Sequence, residues 1–158
     1  HGRQAARLGW IDLHTGLGPS GVGERIFAGR NDPAAVTRAR AWWDGAGATP
    51  VTSIYDGSSS SPLLTGLMWE SAYQECPQAE ITGIALEYGT QPVLQVLHAL
   101  RAEHWLNGHP EAPAPLAESI RQQVLAAFYT DTDAWKGQII SQARQALFQA
   151  VAGLGGAN

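Results

Sequence analysis

The chain has 158 residues, of which 44% are hydrophobic and 15% charged, so it holds enough apolar side chain for one real core and is not a disordered polymer. A net charge of −4 argues against a basic nucleic-acid footprint and against a polybasic membrane surface. One cysteine, Cys76, excludes an intrachain disulfide, and no apolar run reaches the ~18 residues of a membrane span.

The chain opens His1-Gly2-Arg3-Gln4, without Met and without an apolar leader, and reads as the interior of a longer protein cut within an Ala/Arg-rich helix over Arg3–Arg7. Trp10–His14 is expected as a short strand. Its alternation puts Trp10, Asp12 and His14 on one face and Ile11 and Leu13 on the other. Thr15–Gly23 is glycine-rich and expected as a loop, followed by a strand over Glu24–Ala28. Asp32-Pro33 starts a helix, because Asp caps and Pro suits the first helical position; the helix runs to about Trp43 and stops near Gly45. Val51–Tyr55 is β-branched and extended, Asp56–Pro62 is a polar loop, and a helix covers Leu64–Glu75.

Ile81–Tyr88 is apolar on both faces and therefore an internal strand. After Gln91-Pro92 a helix follows with Val93, Leu97, Leu100 and His104 on one face, which predicts that this face is buried and that His104 is a core histidine. Asn107-Gly108 ends it. Pro115 starts another helix with Leu116, Ile120, Val124 and Phe128 aligned. A last helix from Asp133 to about Val151 aligns Trp135, Ile139, Ala143, Leu147 and Val151. Strands alternating with helices, then a helical tail, make the class α/β.

Two segments carry chemistry. Asp12-Leu13-His14-Thr15-Gly16 sets an imidazole and a carboxylate at a strand end before a glycine, the edge at which ligands sit in open α/β sheets. A neutral imidazole there can ligate a metal, and Asp12 can orient it; the same string also describes an ordinary polar strand end. Glu87 ends an otherwise apolar strand beside Gly89. Such a carboxylate suits a general base activating water, or equally a strand-end Glu facing solvent or an arginine.

Together Ile11-Asp12-Leu13-His14-Thr15-Gly16-Leu17-Gly18-Pro19 and Ala85-Leu86-Glu87-Tyr88-Gly89-Thr90 resemble the two carboxyl-half motifs of the zinc carboxypeptidase (M14) superfamily, and more closely its uncharacterised bacterial branch, DUF2817. The resemblance spans nearly the whole chain, including Gly21-Val22-Gly23-Glu24-Arg25 and the helix Leu97–Leu106. It implies a mixed, mostly parallel sheet flanked by helices, residues 1–158 forming the carboxyl-terminal portion of one domain truncated at its amino side. It implies that His14 is a zinc ligand, Glu87 the catalytic base and Asp12 a residue that orients the ligand. The activity implied is hydrolysis of an amide bond in a peptide or an acylated small molecule.

The superfamily draws its first two ligands from His-x-x-Glu, a motif absent from this chain. The zinc site is therefore incomplete here, and the isolated chain is expected to bind metal weakly at best and to be inactive. A cut sheet leaves an apolar edge, so the missing amino-terminal half or a second copy is the expected partner. The competing reading is a non-catalytic scaffold that keeps the fold without zinc. The absent leader and lone cysteine are compatible with the cytoplasm.

Other signals weigh less. Gly16-x-Gly18-x-x-Gly21 matches a dinucleotide fingerprint but contains Pro19 and leads into a strand, where phosphate binding needs a helix start. Ser58–Ser61 lacks a nucleophile elbow and reads as a solvated, mobile loop; the resemblance implies that it borders the substrate cleft with Tyr55 as a contact for substrate or oxyanion, whereas a strand-end Tyr by itself reads as packing. Arg25 and Arg30 are candidates to face an anionic substrate. His98 and His109 read as surface residues and Cys76 as a packed thiol.

Overall fold

The computed structural model describes residues 4–44 and 49–156. Its elements in chain order are β1 (Arg7–Ser20), β2 (Gly23–Phe27), α1 (Pro33–Trp43), β3 (Val51–Ser53), α2 (Trp69–Glu75), β4 (Glu80–Gly89), α3 (Val93–Asn107), α4 (Ala114–Phe128) and α5 (Asp133–Gly155). The protein is α/β with a four-stranded mixed sheet of order β1-β4-β2-β3. β4 is internal, as its apolar faces require. β2 and β3 run parallel, Arg25 opposite Val51 and Phe27 opposite Ser53. β1 and β4 advance in the same direction, from the Glu80 N–H bonded to Ala6 O at one end to Gly89 against Gly18 O at the other.

In the first part of the chain two sequence expectations change and one lies outside the described residues. Of the helix expected at Arg3–Arg7, Arg3 lies outside the described residues, Gln4 is in a 3-10 turn, Ala5 and Ala6 are not helical, and β1 begins at Arg7. The stop at Gly45 lies outside the described residues; α1 ends at Trp43 with Asp44 as its cap. The glycine-rich loop after His14 is in fact strand as far as Ser20. Gly16 and Gly18 carry φ of +143° and +97°, conformations that let an extended backbone continue where an L side chain is strained. The turn itself is confined to Gly21, at φ +72°, and Val22, whose N–H donates to Pro19 O at 3.0 Å.

The chain divides into two compact units. The first comprises His1–His14, Glu24–Leu86 and Ile140–Asn158. Here Gly9 faces Trp42 of α1 and Leu154 of α5, whereas the next residue, Trp10, faces Trp69 of α2. Successive strand residues point to opposite faces, so α1 and α5 cover one face of β1 and α2 the other. The core of this unit is aromatic and aliphatic: Phe27, Trp43, Ile84 and Leu86 are essentially inaccessible. Trp43 Nε1 donates to Ala146 O at 3.0 Å, which ties α1 to α5. A Cβ on Gly153 would lie 2.3 Å from the Trp42 ring, so only glycine admits this approach. α1 begins as expected, with Asp32 accepting from the Ala34 N–H and Pro33 in the first turn. α2 is shorter than expected and starts only at Trp69.

The second unit comprises Thr15–Gly23 and Glu87–Ile139. α3 and α4 pack through Val96, Ala99 and Ala127, flanked by Val124 and Phe128. The stripe expected to be buried on α3 is exposed instead: Val93, Leu97, Leu100 and His104 face outward, and His104 is no core histidine. Alanines let the α3 and α4 backbones approach closely, and the face carrying them is buried at the expense of the leucines. In the first unit, α5 repeats this preference: Ala146 and Ala150 are buried, and Leu147 and Val151 are exposed.

Candidate metal-ligating site

In the first unit, β1 presents Asp12 and His14 on one face, two residues apart, as the period of a strand requires. Asp12 Oδ2 lies 2.9 Å from His14 Nε2. The Asp12 side chain is only 16% exposed, whereas that of His14 is 53% exposed. The carboxylate therefore anchors one ring nitrogen and leaves the rest of an accessible imidazole outward. Holding Nε2 fixes the ring orientation and makes Nδ1 the nitrogen available to a ligand. Among the described residues no group of three or more His, Cys, Asp and Glu is placed to hold an ion. The described donors do not complete a metal centre; Asp12 and His14 offer one oriented imidazole.

In the second unit, Glu87 is half-buried near the end of β4, and its Oε1 accepts the Leu17 N–H at 3.0 Å. The glycines around it are close-approach positions. A Cβ on Gly16 would meet the Phe128 ring at 2.9 Å, and one on Gly89 would strike Gly18 O and Pro19 O at 2.2 Å. Gly21 N–H donates to Gly89 O, and Gly89 N–H to Val22 O, so the end of β4 is clasped by the turn after β1. Of the glycines that mimic a dinucleotide fingerprint, Gly16 and Gly21 serve this packing, whereas a Cβ on Gly18 would stand in open space, at a positive φ. Thr15 Oγ1 donates to Phe128 O at 2.7 Å and Thr90 Oγ1 to Ala127 O, closing the carboxyl end of α4. Neither threonine stood out in the sequence; the signal was their position, one residue after His14 and one after Gly89.

The remaining candidates, all in the first unit, have other engagements. Arg25 is buried, and its guanidinium donates to Trp43 O at 2.8 Å and to Thr49, closing the end of α1. In this position the Arg25 guanidinium serves the fold. Arg30 is paired with Glu70 at 2.5 Å and lies over the Tyr73 ring; the pairing raises its pKa, chiefly through the Glu70 hydrogen bond. Tyr55 donates its hydroxyl to Gly29 O at 2.6 Å, and burial followed by the neighbouring Tyr73 raises its pKa. The serine loop is held in place: Glu24 accepts from Thr52 and from Ser60, and Asp56 accepts from both the N–H and the hydroxyl of Ser58. Cys76 is buried.

A model of the family described as Protein of unknown function (DUF2817) matches residues 1–142, which include Asp12, His14 and Glu87. The chain belongs to the DUF2817 family. No curated protein and no solved structure matches it. No described helix of this DUF2817 protein is long and apolar enough to cross a membrane.

Proposed function

We propose that this DUF2817 protein is part of a metal-dependent hydrolase of an amide bond, carboxypeptidase-like or deacylase-like, in which His14 supplies one ligand. The observation that carries the reading is the accessible His14 imidazole anchored through Nε2 by the largely buried Asp12 carboxylate. A catalytic zinc takes about three protein ligands and an open position for water, and when bound it would supply Lewis acidity and an acidified water. The other ligands come, in this proposal, from polypeptide outside these 158 residues, and the chain is the carboxyl-terminal half of an M14-like domain working in the cytoplasm.

The residues on the page have definite tasks in this reading. Asp12 keeps the imidazole in one orientation and tautomer. Glu87, positioned by the Leu17 N–H, is the proton acceptor of the reaction and hands that proton to the leaving amine. The substrate is a peptide or an acylated small molecule.

Elemental analysis and turnover of an N-acyl amino acid by the intact gene product carrying this chain test the reading. Stoichiometric zinc is expected, lost in His14→Ala. Glu87→Gln is expected to retain the metal and to lower turnover by about 10²-fold or more. Full activity in Glu87→Gln contradicts its assignment as base. Zinc unaffected by His14→Ala contradicts the ligand assignment. A product without zinc or turnover leaves the non-catalytic scaffold as the account.

A further inference from the structure

A second feature of the first unit uses none of Asp12, His14 and Glu87. A pocket of about 210 Å³ opens beside Gly29, between the segment after β2, the loop before α2, and α2 itself. Its lining includes the buried Trp69, the aromatic side chains of Tyr55 and Tyr73, and the exposed Leu64. Its polar groups are set by the hydrogen bonds they already make. Tyr73 Oη accepts the Arg30 backbone N–H at 3.2 Å, and its own proton has no acceptor among the described residues. Tyr55 has the opposite arrangement: its proton is held by Gly29 O at 2.6 Å, so its oxygen lone pairs remain to accept. The single cation at the mouth, Arg30, is neutralised by Glu70 through two contacts, 2.5 and 3.4 Å.

The pocket therefore offers one donor and one acceptor between flat aromatic walls, and no net charge. A carboxylate would lack a free cation and would face the lone pairs of Tyr55; an ammonium would find the Glu70 carboxylate already paired. A carboxamide satisfies both groups, its C=O accepting from Tyr73 and its N–H donating to Tyr55. An aromatic body attached to it would pack between the rings and above Trp69. We propose that this pocket binds the carboxamide group of an aromatic amide, either a free small molecule or a peptide-borne one.

Amide NMR of the ¹⁵N-labelled chain, titrated separately with benzamide, benzoate and N-acetylphenylalaninamide, tests the proposal. Benzamide or the peptide-borne amide is expected to shift the Gly29, Arg30, Gly66 and Trp69 resonances with a dissociation constant of about 1 mM, the scale for so few atoms. Tighter binding of benzamide identifies a free amide as the source, and tighter binding of N-acetylphenylalaninamide a peptide. Benzoate is expected to bind at least about tenfold more weakly. Tyr73→Phe, which removes the donor together with the acceptor of the Arg30 N–H, is expected to lower the amide's affinity about tenfold. Gly29→Ala provides a second variant, because its Cβ would lie 2.6 Å from Tyr73 Oη and crowd the pocket; binding is expected to be lost. Equal affinity for benzoate, undiminished binding in either variant, or no shifts around Gly29 with either amide overturns the proposal.

Discussion

The contact of α1 in the first unit and the contact of α3 in the second differ in kind. In the first, the sheet meets large rings: Trp43 is fully buried, hydrogen-bonded to Ala146 O and paired with Trp42 at 5.3 Å. In the second, α3 meets α4 through Val96, Ala99 and Ala127, and the larger leucines of α3 stay in water. Large apolar residues at helical spacing thus fail to mark the buried face of α3, and in α5 they mark it at Trp135 but not at Leu147 and Val151. Where two backbones approach closely, the small residue is the packing residue, and the large one is left outside.

Substitutions break this comparison in order of size. Trp43→Ala is expected to destabilise by about 3–5 kcal/mol, chiefly through the cavity left by the indole and with it the lost bond to Ala146 O, read by chemical denaturation. Arg25→Met removes the guanidinium that closes α1 and is expected to cost about 1–3 kcal/mol, much of it from the Trp43 carbonyl left without its partner. Ala99→Leu overfills the α3–α4 contact and is expected to cost a similar ~1–3 kcal/mol, whereas Leu97→Gln on the exposed stripe stays within about 0.5 kcal/mol. If the two α3 substitutions exchanged magnitudes, the assignment of the buried face would be wrong.

The smallest effect concerns the serine loop of the first unit. Hydrogen bonds from the Ser58 side chain and backbone, then Arg40, hold the Asp56 carboxyl below its ordinary 3.8. A depressed carboxyl contributes its stabilisation fully above the unfolded value and loses it as pH falls through the folded one. Exchange of the Ser58 amide, divided by its intrinsic rate at each pH, is therefore expected to match its neutral value at pH 5 and to increase below about pH 4. In Asp56→Asn that acid-dependent increase should vanish.

Much of the fold was legible because local chemistry and tertiary demand agree. Asp32-Pro33 caps α1 wherever that helix packs, and Ile81–Tyr88 is too apolar on both sides for anything but an internal strand. β1 beyond His14 was not legible, since glycines signal turns by default, and only a close neighbour such as Gly89 reveals that they keep a strand passing. The faces of α3 and α5 were hidden for the same reason: periodicity ranks large apolar residues and is blind to the distance between backbones. Of the site, Asp12 and His14 could be placed on one face by strand period alone. Their hydrogen bond, and the different exposures of the two side chains, depend on packing that no spacing encodes. Arg25 looked functional because a lone arginine near a glycine turn resembles an anion site; its burial follows from the open carbonyls at the end of α1, which appear only once α1 and β2 are adjacent.

The oriented imidazole is the central claim, and a zinc titration followed through the ¹⁵N imidazole resonances of the five histidines tests it most directly. The account predicts that His14 responds first, with zinc on Nδ1, and that Asp12→Asn weakens the response. Zinc that leaves His14 unchanged while it perturbs another histidine would contradict the account.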